Sequence, residues 1–592
     1  MMRSTAVGLW VVLGLVGCRK TPTTPPTPVE PAPAVVPVDV QPERASGCRA
    51  DVPEVTSTGG LVVAAHPEAA AIGAQVLRDG GNAMDAALAV AVALTLVEPQ
   101  SSGIGGGAFL LHYDAASAEL TAWDGREVAP AAADPSYFLV DGAPAPWPEM
   151  VAGGRSVGVP GLVRMLEAAH EAHGVWPWGA LWQPTAELAE AGFAVTPRMH
   201  GSIEGIGQTP MNVLARDAAA AAYFLPDGEP LPVGHVLKNP ALAETVRRIA
   251  AEGADAFYTG PMAEIMVARV QQASDNPGIV TADDFAAYRA VRRAPVCVPF
   301  AGRSVCGHPP PTSGGVTTLQ ILGLLEADGA TTTPHHFVEA ARLAWADRGR
   351  YLADPDAVAV PTEALLDSAY LASRAASIGS TRGPTPSPGE VALPAAPTEP
   401  LCSEGRDTTH LVVVDGEGNA VSMTSSIENA FGSGLFVEGF LLNNQLTDFD
   451  FAPTRDDGSA VANRVQACKR PRSSMSPLIV LGANGVELAV GSPGGSRIIQ
   501  YTARVVVDVL EHGASVHEAI ARPNLVSRGD HVEVEDGCGT PAPTVDLQVL
   551  TDGAHPVVRT ELNSGLHGVE RTAEGWRAGI DPRREGAAVA VE

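Results

Sequence analysis

Thr409-His410-Leu411-Val412-Val413-Val414-Asp415, then Gly416-Glu417-Gly418-Asn419, then Ala420-Val421-Ser422-Met423-Thr424 form one stretch of this chain. Two β-prone runs separated by a short Gly/Asn break read as the strands and turn of a hairpin. The first run is unbroken apolar sequence from Leu411 to Val414. The chain has the material for a substantial core. Of its 592 residues 45% are hydrophobic and 18% charged, which excludes wholesale disorder. That length corresponds to roughly four domains of about 150 residues or one large intertwined fold.

Lys and Arg total 39 against 67 Asp and Glu, a formal charge of −28. This excludes a general electrostatic footprint on nucleic acid and bears on solubility. At the N-terminus, Arg3 precedes an apolar run from Ala6 to Val16. The run is too short for a permanent span and suits a signal-peptide core. It ends in Leu15-Val16-Gly17-Cys18, which resembles the lipobox of bacterial lipoproteins; the alternative is an ordinary signal peptide with an incidental cysteine. Residues 1–17 are therefore expected to be removed and Cys18 lipidated. Residue 19 is Arg, so by analogy the Asp signal for inner-membrane retention is missing. Eight prolines between residues 21 and 42 predict an extended tether, so that 18–50 form anchor and tether. The expected location is the bacterial cell envelope, lipid-anchored, at the outer membrane facing the periplasm or surface.

Helices are predicted at 67–79, 82–97, 160–173, 239–252, 262–273 and 334–352. The second is apolar on nearly every face, as a helix buried in a large core would be. It leads through Pro99 into Ser101-Ser102-Gly103-Ile104-Gly105-Gly106-Gly107 and a strand at Ala108–Leu111. This G-x-G follows a helix and precedes a strand, the reverse of a dinucleotide site, and reads as a tight backbone turn. His170 and His173, like His335, His336 and Glu339, miss metal-ligand spacings, so no metal or cofactor is expected. Cys297 and Cys306 flank an apparent hairpin where a cross-strand disulfide is expected; spacing alone does not prove it. The seven cysteines include Cys18, whose lipidation would leave six in an oxidising compartment. Six prolines between 384 and 400 predict an exposed loop ahead of residue 408.

Several ordered motifs resemble those of the γ-glutamyltransferases (γ-glutamyl transpeptidases). They are Asp407-Thr408-Thr409-His410, Asn443-Asn444-Gln445-Leu446-Thr447-Asp448-Phe449, Lys469-Arg470-Pro471-Arg472-Ser473-Ser474-Met475-Ser476-Pro477 and Gly491-Ser492-Pro493-Gly494-Gly495. Upstream, Gly80–Ala83, Gly103–Gly106 and Asp124–Pro130 match as well, and so does the ending Gly579–Arg583. The resemblance runs from about residue 55 to the end. It implies an α+β N-terminal-nucleophile (αββα) sandwich, two packed antiparallel sheets between helical layers. It also implies self-cleavage between Asp407 and Thr408, with both products, 51–407 as large subunit and 408–592 as small catalytic subunit, building the fold.

The resemblance assigns roles position by position. Thr408 would be the nucleophile and its new α-amine the base, since a threonine hydroxyl needs a neighbouring base and an α-amine titrates near 8. Ser426 would support it, and Gly494 and Gly495 would offer oxyanion-hole N–H groups. Arg126, Ser473 and Ser474 would bind the donor's α-carboxylate; Glu428, Gln445 and Asp448 would bind its ammonium. One departure stands out: from Phe449 to Arg472 the chain has Phe449 and Phe451 but no Tyr or Trp, which predicts a more open pocket. Cys468 in that stretch is expected to pair with Cys402 or Cys538.

The expected activity is transfer of a γ-glutamyl group from glutathione or a related donor to water or to amino-acid and peptide amines. The alternatives are a same-fold acylase acting on acyl-amide or β-lactam side chains, and a non-catalytic binding lipoprotein. Retention of Arg126 argues against the acylase, whose substrate has no α-carboxylate to meet that charge.

Overall fold

The computed structural model describes Met1 and residues 48–49, 51–394, 408–535, 538 and 547–592. The signal peptide, Cys18, most of the tether, the end of the second proline cluster, Cys402 and Asp407 lie outside them.

The quoted hairpin forms as strands Thr409–Val414 and Ala420–Ser426. Asp415 closes its turn, accepting from the N–H groups of Glu417 (3.1 Å) and Asn419 (2.9 Å), and Gly418 supplies φ +92°. The pair lies at the centre of a seven-stranded antiparallel sheet. Across the sheet the order is Ala587–Val591, Gly60–Ala64, Thr409–Val414, Ala420–Ser426, Gly107–Asp114, Glu119–Gly125 and Val291–Arg293. A second antiparallel sheet of seven strands runs Thr56–Ser57, Gly575–Ile580, His567–Thr572, Gly485–Gly491, Leu478–Gly482, Arg303–Gly307 and Val296–Phe300.

The two sheets pack face to face. Leu61, Val63, Leu111, Val412 and Val414 meet Ile479, Ala489, Val569, Trp576 and Ile580 in one buried cluster. Leu411 and Val413 point the other way, toward the helix Ala83–Val97, and are fully buried too, which explains why this strand lacks alternation. Burying each such side chain contributes roughly 1.5–3 kcal/mol. The second sheet's outer face is covered by helices Ser313–Asp328 and Ile498–Leu510, through Leu319, Leu322, Ile499 and Val505 against Val305, Leu478, Leu488 and Val490. The result is the expected layer order of helices, sheet, sheet, helices. Each sheet mixes strands from both sides of residue 408. The described residues from Cys48 onward belong to one unit, so the length corresponds to one intertwined fold and not to four domains.

The expected helices form at Pro67–Arg78, Ala83–Val97, Leu162–His173, Pro240–Glu252, Gly260–Gln271 and Pro334–Tyr351. Ala83–Val97 starts with a reciprocal cap between Asn82 and Asp85, and all of its side chains are buried. Among the described residues no helix is long and apolar enough to cross a membrane. Cys297 and Cys306 face each other across adjacent strands and are joined by a disulfide. The pairing of Cys468 with Cys538 does not occur. Cys538 is bonded to Cys48, and the residues that follow Cys48 lie against the C-terminal strands.

The turn after Ala83–Val97 brings backbone against backbone. A Cβ on Gly106 would lie 1.9 Å from the Ser426 carbonyl oxygen, and one on Gly105 would lie 2.1 Å from that of Leu441. At Gly103 the nearest atom would be an ordinary 3.4 Å away. Gly106→Ala is expected to destabilise the chain by about 3 kcal/mol, and Gly103→Ala by less than about 1 kcal/mol, in thermal unfolding. Equal effects would show that the close approach at Gly106 is not required.

Candidate active site

Thr408 stands at the head of the central strand. Thr409 pairs with Ser425, so continuing the antiparallel register by one residue puts Thr408 across from Ser426. Thr408 is buried, and its hydroxyl has no hydrogen-bond partner among the described residues. The Ser426 oxygen accepts from the Glu428 N–H (2.9 Å) and from Gln445 Nε2 (3.2 Å), which leaves its own proton to donate. Neighbouring His410 is held neutral: burial drives its pKa well below the usual range, and its Nδ1 lies 2.9 Å from the Thr424 hydroxyl. A hydroxyl without a partner is therefore present at this end of the strand, and the adjacent histidine carries no charge.

Gln445 and Asp448 share one 3-10 turn, which Asn443 and Asn444 hold in place. Asn443 Nδ2 donates to the carbonyls of Gly105 (2.8 Å) and Gly158 (2.9 Å), while its Oδ1 accepts from the N–H groups of Gly158 and Gln445. Asn444 Nδ2 donates to Glu428 Oε2 at 2.5 Å, fixing that side chain on a backbone with φ +79°. Gln445 Oε1 is buried and has no hydrogen-bond partner among the described residues.

Arg126 is completely buried at the end of strand Glu119–Gly125. Its Nη1 pairs with Glu127 at 2.8 Å and its Nη2 with Asp448 at 3.3 Å, while Nε has no partner among the described residues. Its backbone is fixed from both ends: the N–H donates to Asp124 Oδ1 (3.0 Å) and the carbonyl accepts from the Tyr288 hydroxyl (2.6 Å). Burial alone would raise the Asp124 pKa, but Arg470 (2.9 Å) and Arg293 (2.8 Å) outweigh it and hold the carboxylate charged. Glu127 goes the other way. Burial overrides its contact with Arg126 and raises its pKa to about 7.

Ser473 and Ser474 belong to a different network, and among the described residues no hydrogen bond joins them to Arg126. The Ser473 carbonyl accepts from the Ser313 N–H (2.9 Å) and the Ser474 hydroxyl from Arg348 Nη2 (2.9 Å), while Arg348 Nε donates to the Ser313 hydroxyl (2.8 Å). Gly494 (φ +129°) and Gly495 (φ +60°) form the bend between strand Gly485–Gly491 and helix Ile498–Leu510. A Cβ at Gly494 would lie 2.8 Å from the Tyr501 ring, so glycine is required by both conformation and space.

The expected open cover over this region is not what the chain builds. Phe451 stacks on Phe138 with ring centroids 4.2 Å apart, Phe449 and Val465 join a buried cluster with Phe138 and Met150, and Tyr137 packs against it. Trp147 Nε1 donates to the Thr447 carbonyl at 3.1 Å. The aromatic side chains absent from 449–472 are supplied by residues 137–147, some 300 positions upstream of the turn they cover. Arg126, Thr408, Ser426, Gln445, Asp448 and Ser473 are all buried. Asn443, Asn444, Glu127, Ser313 and Arg348 hold these site residues in place without a role of their own in the sequence reading. Only Asn443 and Asn444 carried a signal, being two adjacent amides beside Gln445.

The sequence model described as Gamma-glutamyltranspeptidase matches residues 69–591. The chain belongs to the γ-glutamyltranspeptidase family. It is 36% identical over 501 residues to the glutathione hydrolase proenzyme of Escherichia coli K12, covering 82% of this chain and 84% of that one. It is 33% identical over 580 residues to the acylase ACY 1 proenzyme of Pseudomonas sp. SE83, covering 95% and 97%. Among solved structures, cephalosporin acylase from Bacillus halodurans superposes with a TM-score of 0.79 at 26% identity, over 92% of this chain and 97% of that one. Helicobacter pylori gamma-glutamyltranspeptidase superposes with a TM-score of 0.51 at 32% identity, over 56% and 93%. These neighbours belong to the N-terminal-nucleophile hydrolase fold, and the chain is an enzyme of this family's kind.

The raised pKa of Glu127 has a measurable consequence. The folded chain holds this proton more tightly than the unfolded one, so stability falls as pH rises from 4.5 to about 7. Relative to wild type, Glu127→Gln is expected to gain up to about 3 kcal/mol in thermal unfolding across that window. A pH-independent difference would show that Glu127 stays charged throughout.

Proposed function

We propose that the protein is a self-cleaving γ-glutamyltransferase and glutathione hydrolase anchored in the cell envelope by a lipid on Cys18. In this reading cleavage between Asp407 and Thr408 divides it into large and small chains. Before cleavage the Thr408 nitrogen is an amide and no base. Afterwards it is an α-amine that titrates near 8 and takes the proton of its own hydroxyl. That hydroxyl attacks the γ-amide carbonyl of the donor. The N–H groups of Gly494 and Gly495 receive the oxyanion, a contribution of roughly 3–4 kcal/mol per donor. The amine leaves with the transferred proton, and water or an amino-acid amine then cleaves the threonyl ester. Ser426 donates its free proton toward Thr408.

The observation that supports this reading most directly is Arg126. A donor α-carboxylate has a planar guanidinium to meet, and the longer of its two ion pairs, to Asp448 at 3.3 Å, is the one positioned to yield. Asp448 so released, with Glu428 and the partnerless Gln445 Oε1, offers acceptors for the donor's ammonium. Ser473 and Ser474 complete the carboxylate side, held by Ser313 and Arg348. The acylase reading is favoured by the similarity to the ACY 1 proenzyme along nearly the full length of both chains. An acyl substrate without an α-carboxylate, however, leaves Arg126 paired as it stands and unused.

Denaturing electrophoresis under reducing conditions should give two fragments for wild type, split before residue 408, and one chain for Thr408→Ala; an uncut wild type would sink the reading. With a chromogenic γ-glutamyl anilide, Arg126→Ala should lower kcat/KM by about 100-fold or more, as loss of a buried charge-assisted pair implies. Unchanged turnover would move the assignment to the acylase.

A further inference from the structure

We infer that the Cys48–Cys538 disulfide spans the cleavage point and keeps the two chains of the processed enzyme covalently joined, an inference that rests on the proposed cut before Thr408. Cys48 lies on the large-chain side of that cut and Cys538 on the small-chain side, 490 positions apart in sequence. Once the backbone opens, this bond is a covalent path between the anchored chain and the chain that carries Thr408.

The neighbouring contacts support the same function. Arg49 donates its N–H to the Pro582 carbonyl (2.9 Å) and its Nη2 to the Gly586 carbonyl (2.9 Å). Thr56–Ser57 pairs with the strand Gly575–Ile580, and the Ser57 hydroxyl donates to the Val591 carbonyl (2.9 Å). The described residues at the end of the tether and just beyond it are thus stitched onto the end of the small chain, with the disulfide nearest the anchor. Any pull on the tether reaches Cys48 first and passes through the bond into the small chain. Without it, hydrogen bonds and burial alone would hold the small chain to the membrane, and partial unfolding would release it.

The two ends of the bond differ in exposure, and Cys48 is open to solvent. Cys538 is only 8% exposed, and thiol–disulfide exchange needs a thiolate to reach a sulfur. This matters for an enzyme whose proposed donor, glutathione, is itself a thiol. Attack at exposed Cys48 takes two thiols and leaves two cysteine thiols and one external disulfide, which is why the test below blocks thiols first.

Because Cys402 and Cys468 also lie on opposite sides of the cut, the test uses the full chain with Cys402→Ser, thiols blocked before denaturation. Unreduced, it should run as one full-length species; reduced, as two fragments. Adding Cys538→Ser should give two fragments in both lanes. Two fragments in the unreduced lane of the Cys402→Ser protein would overturn the inference. One species in the reduced lane would overturn the cut, and the link across it, instead. Mass mapping of an unreduced wild-type digest then tests the bond without any variant. A peptide containing Cys48 joined to one containing Cys538 is expected, and its absence refutes the pairing.

Discussion

Asp415 sets the register on which the rest depends. Its strand is apolar on both faces, so burial alone does not distinguish one pairing from the pairing slipped by a residue. The carboxylate does. It binds the N–H groups of Glu417 and Asn419 inside the turn and, through Oδ2, the Ala83 N–H at the start of the buried helix (3.0 Å). Asn419 in turn accepts from the Ala115 N–H (2.9 Å) on the loop that joins the next two strands. Turn, helix and neighbouring hairpin are thereby locked together at one end of the sheet, and the positions at the other end follow. Thr408 comes to lie across from Ser426, and Gly106 passes against the Ser426 carbonyl.

The second constraint is electrostatic. Arg126 pairs with Glu127 and Asp448, and Asp124 pairs with Arg293 and Arg470, all with little or no exposure. Burying so many charges is costly unless each is paired, and removing any one strands its neighbour. Arg126 is therefore a preorganised cation whose orientation is fixed by its backbone partners, Asp124 and Tyr288, as well as by its ion pairs. Such a group suits the proposed recognition of a carboxylate because its desolvation has already been met during folding.

Much of the fold was legible in local chemistry. Proline at the first turn and Asn, Thr or His caps mark most of the expected helix starts, so these fall within one or two residues of where they form. The helix Ser313–Asp328 was less visible, because Ser313-Gly314-Gly315 at its start reads as a turn. A Cβ on Gly314 would meet the Met475 carbonyl at 2.1 Å, so these glycines serve packing and not flexibility. The aromatic cover is invisible to local patterns for a related reason: no local rule connects Tyr137 and Phe138 with Phe451.

The sequence by itself determined the hairpin, the buried helix, the order of the motifs and the residue types that the proposed chemistry requires. These rest on short-range preferences and on side-chain identity. Only the tertiary structure decided that Asn443 holds carbonyls 338 and 285 positions away, that Ser474 answers to Arg348, and that Cys48 closes on Cys538. Each of these depends on which surfaces meet when two sheets are assembled from strands drawn from both ends of the chain. No spacing along the backbone encodes such distances.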